Sequence, residues 1–353
     1  MVEILFPQLL IFGELFKCPT VLMSSFPGYF HIHGALGNSM HPIVYPSIRF
    51  PFFRNLSFKE RLVSTVYFLD HLLRHVPQKY TRNTAILRKY FGENAPDVNQ
   101  LLDKVEMAFF NAHPALNGPR LVGQNTIFFG GMVHLRDPKP LPKDLDEFLN
   151  RSVEGVVYFS LGSNVKSAFL GQDKFQAIAQ ALGELPYKVL WKYESDHIPD
   201  TPKNIKFVKW SPQQDVLRHP NVRAFVTQGG LQSLEEAIYF HVPIVLLPFF
   251  GDQEQNAKKA EHKKIGKAIY HMRNGLHKDE LKSAIMEVIE DPSYRQNIKS
   301  LAEIILDEPM TGVEKVVWWS EYVIRHKGHA YNSQSHKRPQ VDKSNGNKHP
   351  WST

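Results

Sequence analysis

The sequence contains a single cysteine, Cys18, among 353 residues, so no disulfide can form within the chain. No uninterrupted apolar run approaches the roughly 18 residues that a membrane-spanning helix requires. The 17 histidines are scattered and are not grouped with cysteines or carboxylates at metal-ligand spacing. We therefore expect no disulfide framework, no membrane span within this chain and no metal site.

Positive charge is concentrated at one end of the chain. The formal net charge is +7, and residues 326–353, with five Lys or Arg and one Asp, contribute +4 of it. This end has almost no aliphatic residues, so we predict a disordered basic tail at 328–353. A short basic tail is more typical of a solvated chain end than of a nucleic-acid-binding arm, and we predict no nucleic-acid partner.

The length of the chain is sufficient for two domains. Between residues 137 and 142 every second residue is proline, which favours an extended, non-helical linker. We predict a first domain at 1–136, a linker at 137–150 and a second domain at 151–327.

The most informative stretch is 210–253, where short apolar strands alternate with helical segments. Such alternation predicts a parallel α/β sheet. Polar residues fall mostly at the strand-to-helix junctions, and ligands of parallel sheets bind outside the carboxyl ends of the strands. The stretch therefore predicts a nucleotide pocket.

The same stretch resembles the donor-binding signature of the UDP-glycosyltransferase family, whose members transfer sugars from UDP-sugars to small lipophilic acceptors. The residues that match in type, order and spacing are Trp210, Pro212, Gln213, Gly229, Gly230, Ser233, Glu236, Asp252 and Gln253. The resemblance extends over about residues 1–327, and insect members are the most similar. It implies an α/β, GT-B-like fold of two facing Rossmann-like domains, of which the N-terminal one is incomplete here.

The resemblance assigns the uridine end of the pocket to Trp210, Gln213 and Glu236. The Trp210 indole would stack on uracil, and the Glu236 carboxylate would accept hydrogen bonds from both ribose hydroxyls. Taken without the resemblance, Trp210 would be interpreted as an ordinary core tryptophan. The Ser233–Glu236 spacing is also that of a capping box at a helix beginning near Ser233.

The diphosphate would be bound by small residues and by a helix N-terminus. The residues implied are Gly162, Ser163, Gln228, Gly229, Gly230 and Ser233. Many relatives have a histidine at the position of Gln228, so the neutral amide predicts a weaker contact with phosphate.

Asp252 and Gln253 would bind the hydroxyl groups of the transferred sugar, although Asp252 could instead be an ordinary helix N-cap. They do not by themselves distinguish glucose from glucuronic acid. The insect resemblance favours glucose.

The implied reaction is inverting transfer of a hexose, with a histidine as general base and a carboxylate that orients it. Alignment places Glu3 at the position of this carboxylate, whereas the histidine has no counterpart in the chain. We therefore expect an N-terminally truncated member that also lacks the C-terminal membrane span of its relatives. A UDP-sugar-binding module without catalysis is the alternative. No cofactor or metal is expected, and the resemblance implies the endoplasmic reticulum and, for full-length relatives, membrane association.

Overall fold

The computed structural model describes residues 1–130, 132–195 and 202–328. Residues 329–353, which make up nearly all of the predicted tail, lie outside the described residues. Two sheets organise the chain, and every strand pair in both is parallel. The alternation of strands with helices explains this, because parallel neighbours require a crossover connection.

The sheet of the second domain has six strands. They are β5 (Val156–Ser160), β6 (Lys188–Lys192), β7 (Ile205–Val208), β8 (Val222–Thr227), β9 (Ile244–Leu246) and β10 (Gly266–Ala268). Their spatial order is β7-β6-β5-β8-β9-β10. Strands β6 and β7 follow β5 on one side of the sheet, and β8, β9 and β10 follow one another on the other side. This is the Rossmann strand order, with its topological switch point between β5 and β8.

The central strand β5 shows why this sheet forms. All five of its residues are buried, and successive side chains enter different cores. Val156 and Tyr158 face one core, while Val157 and Phe159 face the other. An unbroken apolar run is what a parallel strand covered on both faces requires.

Helices cover both faces of this sheet. Those of the second half of the chain are α7 (Lys143–Arg151), α8 (Gln172–Gly183), α9 (Gln213–Arg218), α10 (Leu231–Tyr239), α11 (Gln253–His262), α12 (His271–Asn274), α13 (Lys278–Glu290), α14 (Pro292–Leu306) and α15 (Gly312–Arg325). A short 3₁₀ helix lies at Ser167–Phe169.

The sheet of the first domain has four strands: β1 (Val2–Glu3), β2 (Thr20–Ser24), β3 (Val105–Phe110) and β4 (Thr126–Phe128). They lie in chain order, with β1 at one edge. Among the described residues no strand pairs with the outer edge of β1. This sheet therefore lacks the reversal of strand order that the second sheet has.

The helices of the first half are α1 (Ile11–Phe16), α2 (Phe30–Ala35), α3 (Phe58–Asp70), α4 (Val76–Phe91), α5 (Val98–Leu102) and α6 (Pro114–Asn117). A 3₁₀ helix at Pro7–Leu10 precedes α1, and a π-helical turn at His71–His75 joins α3 to α4. Within the described residues, none of the helices combines the length and apolar character needed to cross a lipid bilayer.

The last helix, α15, returns to the first domain. Val323 packs in one cluster with Val21, Met107 and Phe109 of the first sheet. The opposite face of that sheet packs against α2, α4 and α5. The C-terminal helix therefore contributes to the core of the N-terminal unit, although the chain reaches it only after the whole second sheet.

Candidate functional site

A cavity of about 470 Å³ lies at the switch point of the second sheet. We call it the switch-point cavity. The residues predicted from the sequence that line it are Gly162, Ser163, Trp210, Gln213, Gln228, Gly230, Ser233 and Glu236. They follow the carboxyl ends of three different strands, β5, β7 and β8, which is why a parallel sheet brings such distant positions together.

Trp210 is not a core residue, because 69% of its surface is exposed. It follows β7, and its ring lies at the cavity with Lys192 Nζ 5.3 Å from the ring centroid. An exposed indole forgoes substantial apolar burial. The interpretation of Trp210 as a packing tryptophan is therefore wrong, and a free aromatic face is available to a ligand.

Gln213, the first residue of α9, is held in one orientation by its neighbours. Its Oε1 accepts a hydrogen bond from Tyr158 Oη at 3.3 Å. Its Nε2 donates to Ser233 Oγ at 3.0 Å and to Glu236 Oε2 at 2.6 Å. The buried hydroxyl of Tyr158 thus fixes which way this amide points.

Helix α10 begins at Leu231, two residues before the predicted start at Ser233. Its N-cap is Gly230, without a side-chain cap. Ser233 is then the third helical residue, and its hydroxyl accepts from Gln213 and not from the start of its own helix. The capping-box interpretation of Ser233 and Glu236 is wrong for this reason, and both side chains face the switch-point cavity.

Positions 229 and 230 have glycine for different physical reasons. Gly229 has a φ of +86°, and a Cβ there would lie 3.0 Å from Leu246 Cδ2. Gly230 has an ordinary φ of −60°, and a Cβ there would meet only Gln228 Nε2, at 3.5 Å. The fold therefore requires glycine at 229, whereas glycine at 230 keeps the cavity open.

Gln228 lies immediately after β8 and is buried. Its Oε1 has no hydrogen-bond partner among the described residues. A Cβ at Gly162 would lie 2.6 Å from Gln228 Nε2, so these two residues meet across the switch point. The Gln228 side chain, which the resemblance assigns to the diphosphate, thus lies at the switch point beside Gly162.

Asp252 and Gln253 lie next to the switch-point cavity but do not line it. Asp252 occupies the N-cap position of α11, yet its carboxylate makes no capping bond and instead accepts from Asn256 Nδ2 at 2.9 Å. Asn256 also donates to the carbonyl of Gly229 at 3.0 Å. The Asp252 carboxylate is therefore tied to the glycine turn through Asn256.

Sequence reasoning missed Lys192, Gln214 and Arg136, which also line the cavity. Lys192 ends β6 and is buried, with Nζ donating to the carbonyl of Gly162 at 2.9 Å and to Glu194 at 2.8 Å. The sequence signal for Lys192 was a lysine that directly follows the apolar run Val189–Trp191, at the carboxyl end of a strand. Gln214 donates to Glu236 Oε1 at 2.9 Å.

The first domain contacts α10 through its strand ends. Asn111, which follows β3, donates to Glu235 Oε2 at 3.2 Å and to the carbonyl of Ser25 at 3.3 Å. Gln232 donates to the same carbonyl at 3.2 Å. The carboxyl ends of β2 and β3 therefore face the helix that bounds the switch-point cavity.

His134 lies between two carboxylates of α10, with Nδ1 3.5 Å from Glu235 and Nε2 3.4 Å from Glu236. Burial raises the pKa of Glu235 to about 7, against the opposing effects of Asn111 and His134. Burial also acts to raise the pKa of Glu236, but the neighbouring His134 and the hydrogen bonds from Gln213 and Gln214 outweigh it, and the pKa is lowered. Glu236 is thus kept ionised, whereas Glu235 retains a proton at mildly acidic pH.

This difference predicts a pH dependence of stability. The pKa of Glu235 is higher in the folded chain than in the unfolded chain, so its protonated carboxyl contributes to the free energy of unfolding. This contribution is fully present below the ordinary pKa near 4.5 and is lost as pH rises through about 7. The amount is on the order of 3 kcal/mol. We expect Glu235→Gln to reduce the fall in melting temperature between pH 5.5 and pH 8.

The control for this prediction is Glu184→Gln. The pKa of Glu184 is lowered to about 2 by Lys278 and Lys282, so it does not titrate in this pH interval. An unchanged fall in melting temperature for Glu235→Gln would contradict the assignment.

Glu3, the predicted orienting carboxylate, lines neither the switch-point cavity nor the cavity described next. It ends the edge strand β1, and its Oε1 is buried without a hydrogen-bond partner among the described residues. Burial raises its pKa above the ordinary value. Its role stays a prediction.

A second cavity, of about 360 Å³, lies between loops of the first domain and α11. We call it the interdomain cavity. Its aromatic lining residues are Tyr29, Phe30, Tyr45, Phe53 and Phe128. Hydrogen bonds from Gln255 on α11 to the carbonyls of Ser47 and Phe52 hold the two sides together.

His113 lines the interdomain cavity, but both of its ring nitrogens are engaged. Nδ1 accepts from the backbone N–H of Ala115 at 3.1 Å, and Nε2 lies 3.0 Å from Glu308. Burial lowers its pKa. It could not take a proton from a ligand without losing one of these bonds.

Three groups of relatives are similar to this chain. UDP-glucosyltransferase 2 of Dactylopius coccus is 35% identical over 297 residues, which are 83% of this chain and 56% of that protein. The ecdysteroid UDP-glucosyltransferase of Spodoptera littoralis nuclear polyhedrosis virus is 35% identical over 90% of this chain and 63% of its own length. UDP-glucuronosyltransferase 2B7 of Homo sapiens is 34% identical over 92% of this chain and 61% of its own length. The chain spans about 60% of these relatives.

Solved structures of similar fold include the glycosyltransferase of kitacinnamycin, with a TM-score of 0.61 and 18% identity over 92% of this chain and 75% of that one. CalG4, the calicheamicin glycosyltransferase, gives a TM-score of 0.57 and 18% identity over 89% and 70%. These likenesses show the fold, and they confirm the predicted GT-B arrangement of two Rossmann-like domains. The model of the family described as UDP-glucoronosyl and UDP-glucosyl transferase matches residues 2–340. The chain therefore belongs to the UDP-glucoronosyl and UDP-glucosyl transferase family, whose members are enzymes that transfer sugar from UDP-sugars.

Proposed function

We propose that this chain transfers a hexose, glucose, from a UDP-sugar to a hydroxyl group of a small lipophilic acceptor, with inversion at the anomeric carbon. The observation that carries the proposal is the switch-point cavity, where an exposed Trp210 and an ionised Glu236 lie at the carboxyl ends of a Rossmann sheet. An aromatic face and a fixed carboxylate are what a uridine needs: one stacks on the base and the other binds the ribose diol.

The diphosphate is assigned to the region between Gly162 and the N-terminus of α10. No side chain caps the start of α10, and Gly230 carries no side chain to block the approach of a phosphate to its first backbone N–H groups. Lys192 places a buried ammonium group, paired with Glu194 at 2.8 Å, beside Gly162. We add Lys192 to the residues inferred from the sequence, because its ammonium offsets the charge that develops on departing UDP.

Metal ions have no assigned part in this proposal, since Lys192 and the start of α10 provide the positive electrostatic environment. Turnover in buffer containing excess EDTA is expected to equal turnover with added Mg²⁺. A requirement for Mg²⁺ would contradict this part of the proposal.

The sugar is assigned to Asp252 and Gln253. Gln253 Oε1 accepts from the backbone N–H groups of Phe249 and Phe250, at 2.8 and 3.1 Å, so its Nε2 remains available as a donor. The preference for glucose rests on the similar insect and viral proteins, which are named glucosyltransferases. Comparison of UDP-glucose with UDP-glucuronate as donors tests it.

The acceptor is assigned to the interdomain cavity, which adjoins α11 and has an aromatic lining. In the proposed step the acceptor oxygen bonds to the anomeric carbon, the bond from that carbon to the diphosphate breaks, and the hydroxyl proton passes to a base. We retain Glu3 as the predicted orienting carboxylate and assign the base to none of the described residues.

The proposed function is tested by measuring release of UDP from UDP-glucose in the presence of a panel of hydroxylated aromatic acceptors. Acceptor-dependent release of UDP, with one glucosylated product per UDP, is the expected result. Binding of UDP-glucose without any acceptor-dependent release would instead support a UDP-sugar-binding module.

We also infer an endoplasmic reticulum location from the family resemblance. Asn55 and Asn150 each begin an Asn-x-Ser triplet, the acceptor sequence for N-glycosylation, and both residues are exposed, which is compatible with this location. Expressed chain whose mass does not change on endoglycosidase treatment would contradict glycosylation in that compartment.

A further inference from the structure

The interdomain cavity is lined by positively charged side chains without any carboxylate. The four Lys or Arg side chains that line it are Arg54, Arg120, Lys259 and Lys263, and its lining includes no Asp or Glu. Such an excess is unusual for a site that takes only neutral lipophilic molecules, because buried cations are normally paired.

Lys259 is the most informative of the four. It lies on α11, is only 4% exposed, and lines the cavity. No hydrogen bond or ion pair joins its ammonium group to any described residue. Burying an ammonium group that has no direct hydrogen-bond or ion-pair partner costs free energy.

The neighbouring cations increase this cost. Burial, opposed by the charge of Asp252 and assisted by that of Lys263, lowers the pKa of Lys259 to about 8. Burial likewise lowers the pKa of Lys263, and Arg54 adds to the effect. The three cations therefore repel one another at one wall of the cavity.

Arg120 provides a further cation from the first domain. Its guanidinium lies 4.5 Å from the ring centroid of Tyr45, and Nη2 donates to the carbonyl of Ser39 at 2.9 Å. Its Nε is buried without a hydrogen-bond partner among the described residues. Burial lowers its pKa to about 10. A cation held against an aromatic ring at a cavity wall suits a planar anion.

The position of Lys259 suggests which ligand would supply the anion. Lys259 lies seven residues, about two helical turns, beyond Asp252 on the same face of α11. Asp252 adjoins the switch-point cavity, whereas Lys259 lines the interdomain cavity. The ammonium is therefore on the acceptor side of the proposed sugar position.

We propose that the interdomain cavity selects aromatic acceptors that carry a carboxylate, and that the Lys259 ammonium binds this carboxylate while the aromatic lining takes the ring. This inference rests on the proposed function, since it identifies the class of acceptor for the same reaction. The transferred sugar would still go to a hydroxyl group of the acid.

The test is calorimetric titration of the full chain with 6-hydroxy-2-naphthoate and with its neutral amide. We expect the wild-type protein to bind the acid at least about tenfold more tightly than the amide, because a charge-assisted contact replaces a neutral one. Lys259→Met should reduce this preference to less than about threefold while leaving amide affinity unchanged. Its melting temperature should not fall, because the substitution removes a buried unpaired charge.

Lys258→Met is the matched control. It removes the same charge one residue earlier, but Lys258 pairs with Glu261 at 3.0 Å and does not line the cavity. The preference for the acid should survive in this variant. Lys259→Gln provides a second, polar replacement and should behave like Lys259→Met.

Two outcomes would overturn the inference. One is equal affinity of wild-type protein for the acid and the amide. The other is a Lys259→Met variant that retains the acid preference but loses affinity for UDP-glucuronate relative to UDP-glucose, which would place the carboxylate on the donor sugar. Titration of the same preparations with UDP separates these results from failure of the proposed function, because UDP binding does not involve Lys259.

Discussion

Replacement of Glu236 by alanine is expected to weaken binding of UDP-glucose by at least about 100-fold. The Glu236 carboxylate accepts hydrogen bonds from Gln213 and Gln214 and lies 3.4 Å from His134. Two of its roughly four lone-pair sites therefore remain for two ribose hydroxyls. Hydrogen bonds to a charged group are worth about 1.5–3 kcal/mol each, so loss of two exceeds about 3 kcal/mol. Isothermal titration calorimetry measures the change.

Two further variants make this result specific. Glu236→Gln keeps one acceptor oxygen, and we expect its affinity to lie between those of wild type and Glu236→Ala. Glu235→Gln changes the adjacent carboxyl of the same helix, which does not line the switch-point cavity. If Glu235→Gln weakened UDP-glucose binding as much as Glu236→Ala, a general disturbance of α10 would explain the loss better than a ribose contact.

Trp210→Ala is expected to weaken UDP-glucose binding by about 5- to 150-fold, because stacking on a base is worth about 1–3 kcal/mol. Since 69% of Trp210 is exposed without ligand, the substitution should leave the melting temperature nearly unchanged. The same calorimetric titration, with thermal denaturation of each variant, checks both parts.

Trp210→Phe provides the control, because it retains a planar ring and should recover most of the affinity. Equal losses for Trp210→Phe and Trp210→Ala would argue against stacking. A large fall in melting temperature for Trp210→Ala would show that the indole packs in the folded chain after all.

The second sheet and most of its cavity could be predicted from the sequence. The alternation of short apolar runs with helical segments predicts parallel strands. The loops that follow parallel strands all lie at the same edge of the sheet. Trp210, Gln228 and Glu236 are in different elements, yet each lines the switch-point cavity. Their positions along the chain were sufficient to predict that they line one cavity, because each follows a strand or lies in the first turns of a helix.

The sequence alone did not determine where helix α10 begins. Ser233 and Glu236 have the spacing of a capping box, and the sequence cannot show that α10 begins two residues earlier, at Leu231. The helix starts there because Gly230 serves as the N-cap, directly after the positive φ of Gly229. Helix starts depend on backbone geometry that propensity alone does not determine.

Long-range contacts could not be predicted. Helix α11 has the polar composition of a solvated helix, yet Lys259 is buried because the first-domain loops around Ser47 lie against it. Similarly, nothing in the sequence of α15 indicates that Val323 packs on the first sheet. Such contacts join segments far apart in the chain, and periodicity reports only which residues share a face.

The central claim is that this chain binds a UDP-sugar at the switch-point cavity. Calorimetric titration of residues 1–353 with UDP-glucose tests it most directly, alongside the Trp210→Ala, Asp252→Ala double variant. The account predicts micromolar-to-millimolar binding by the wild-type chain and none detectable by a folded double variant. Absence of binding by folded wild-type protein, or equal binding by both proteins, would contradict it.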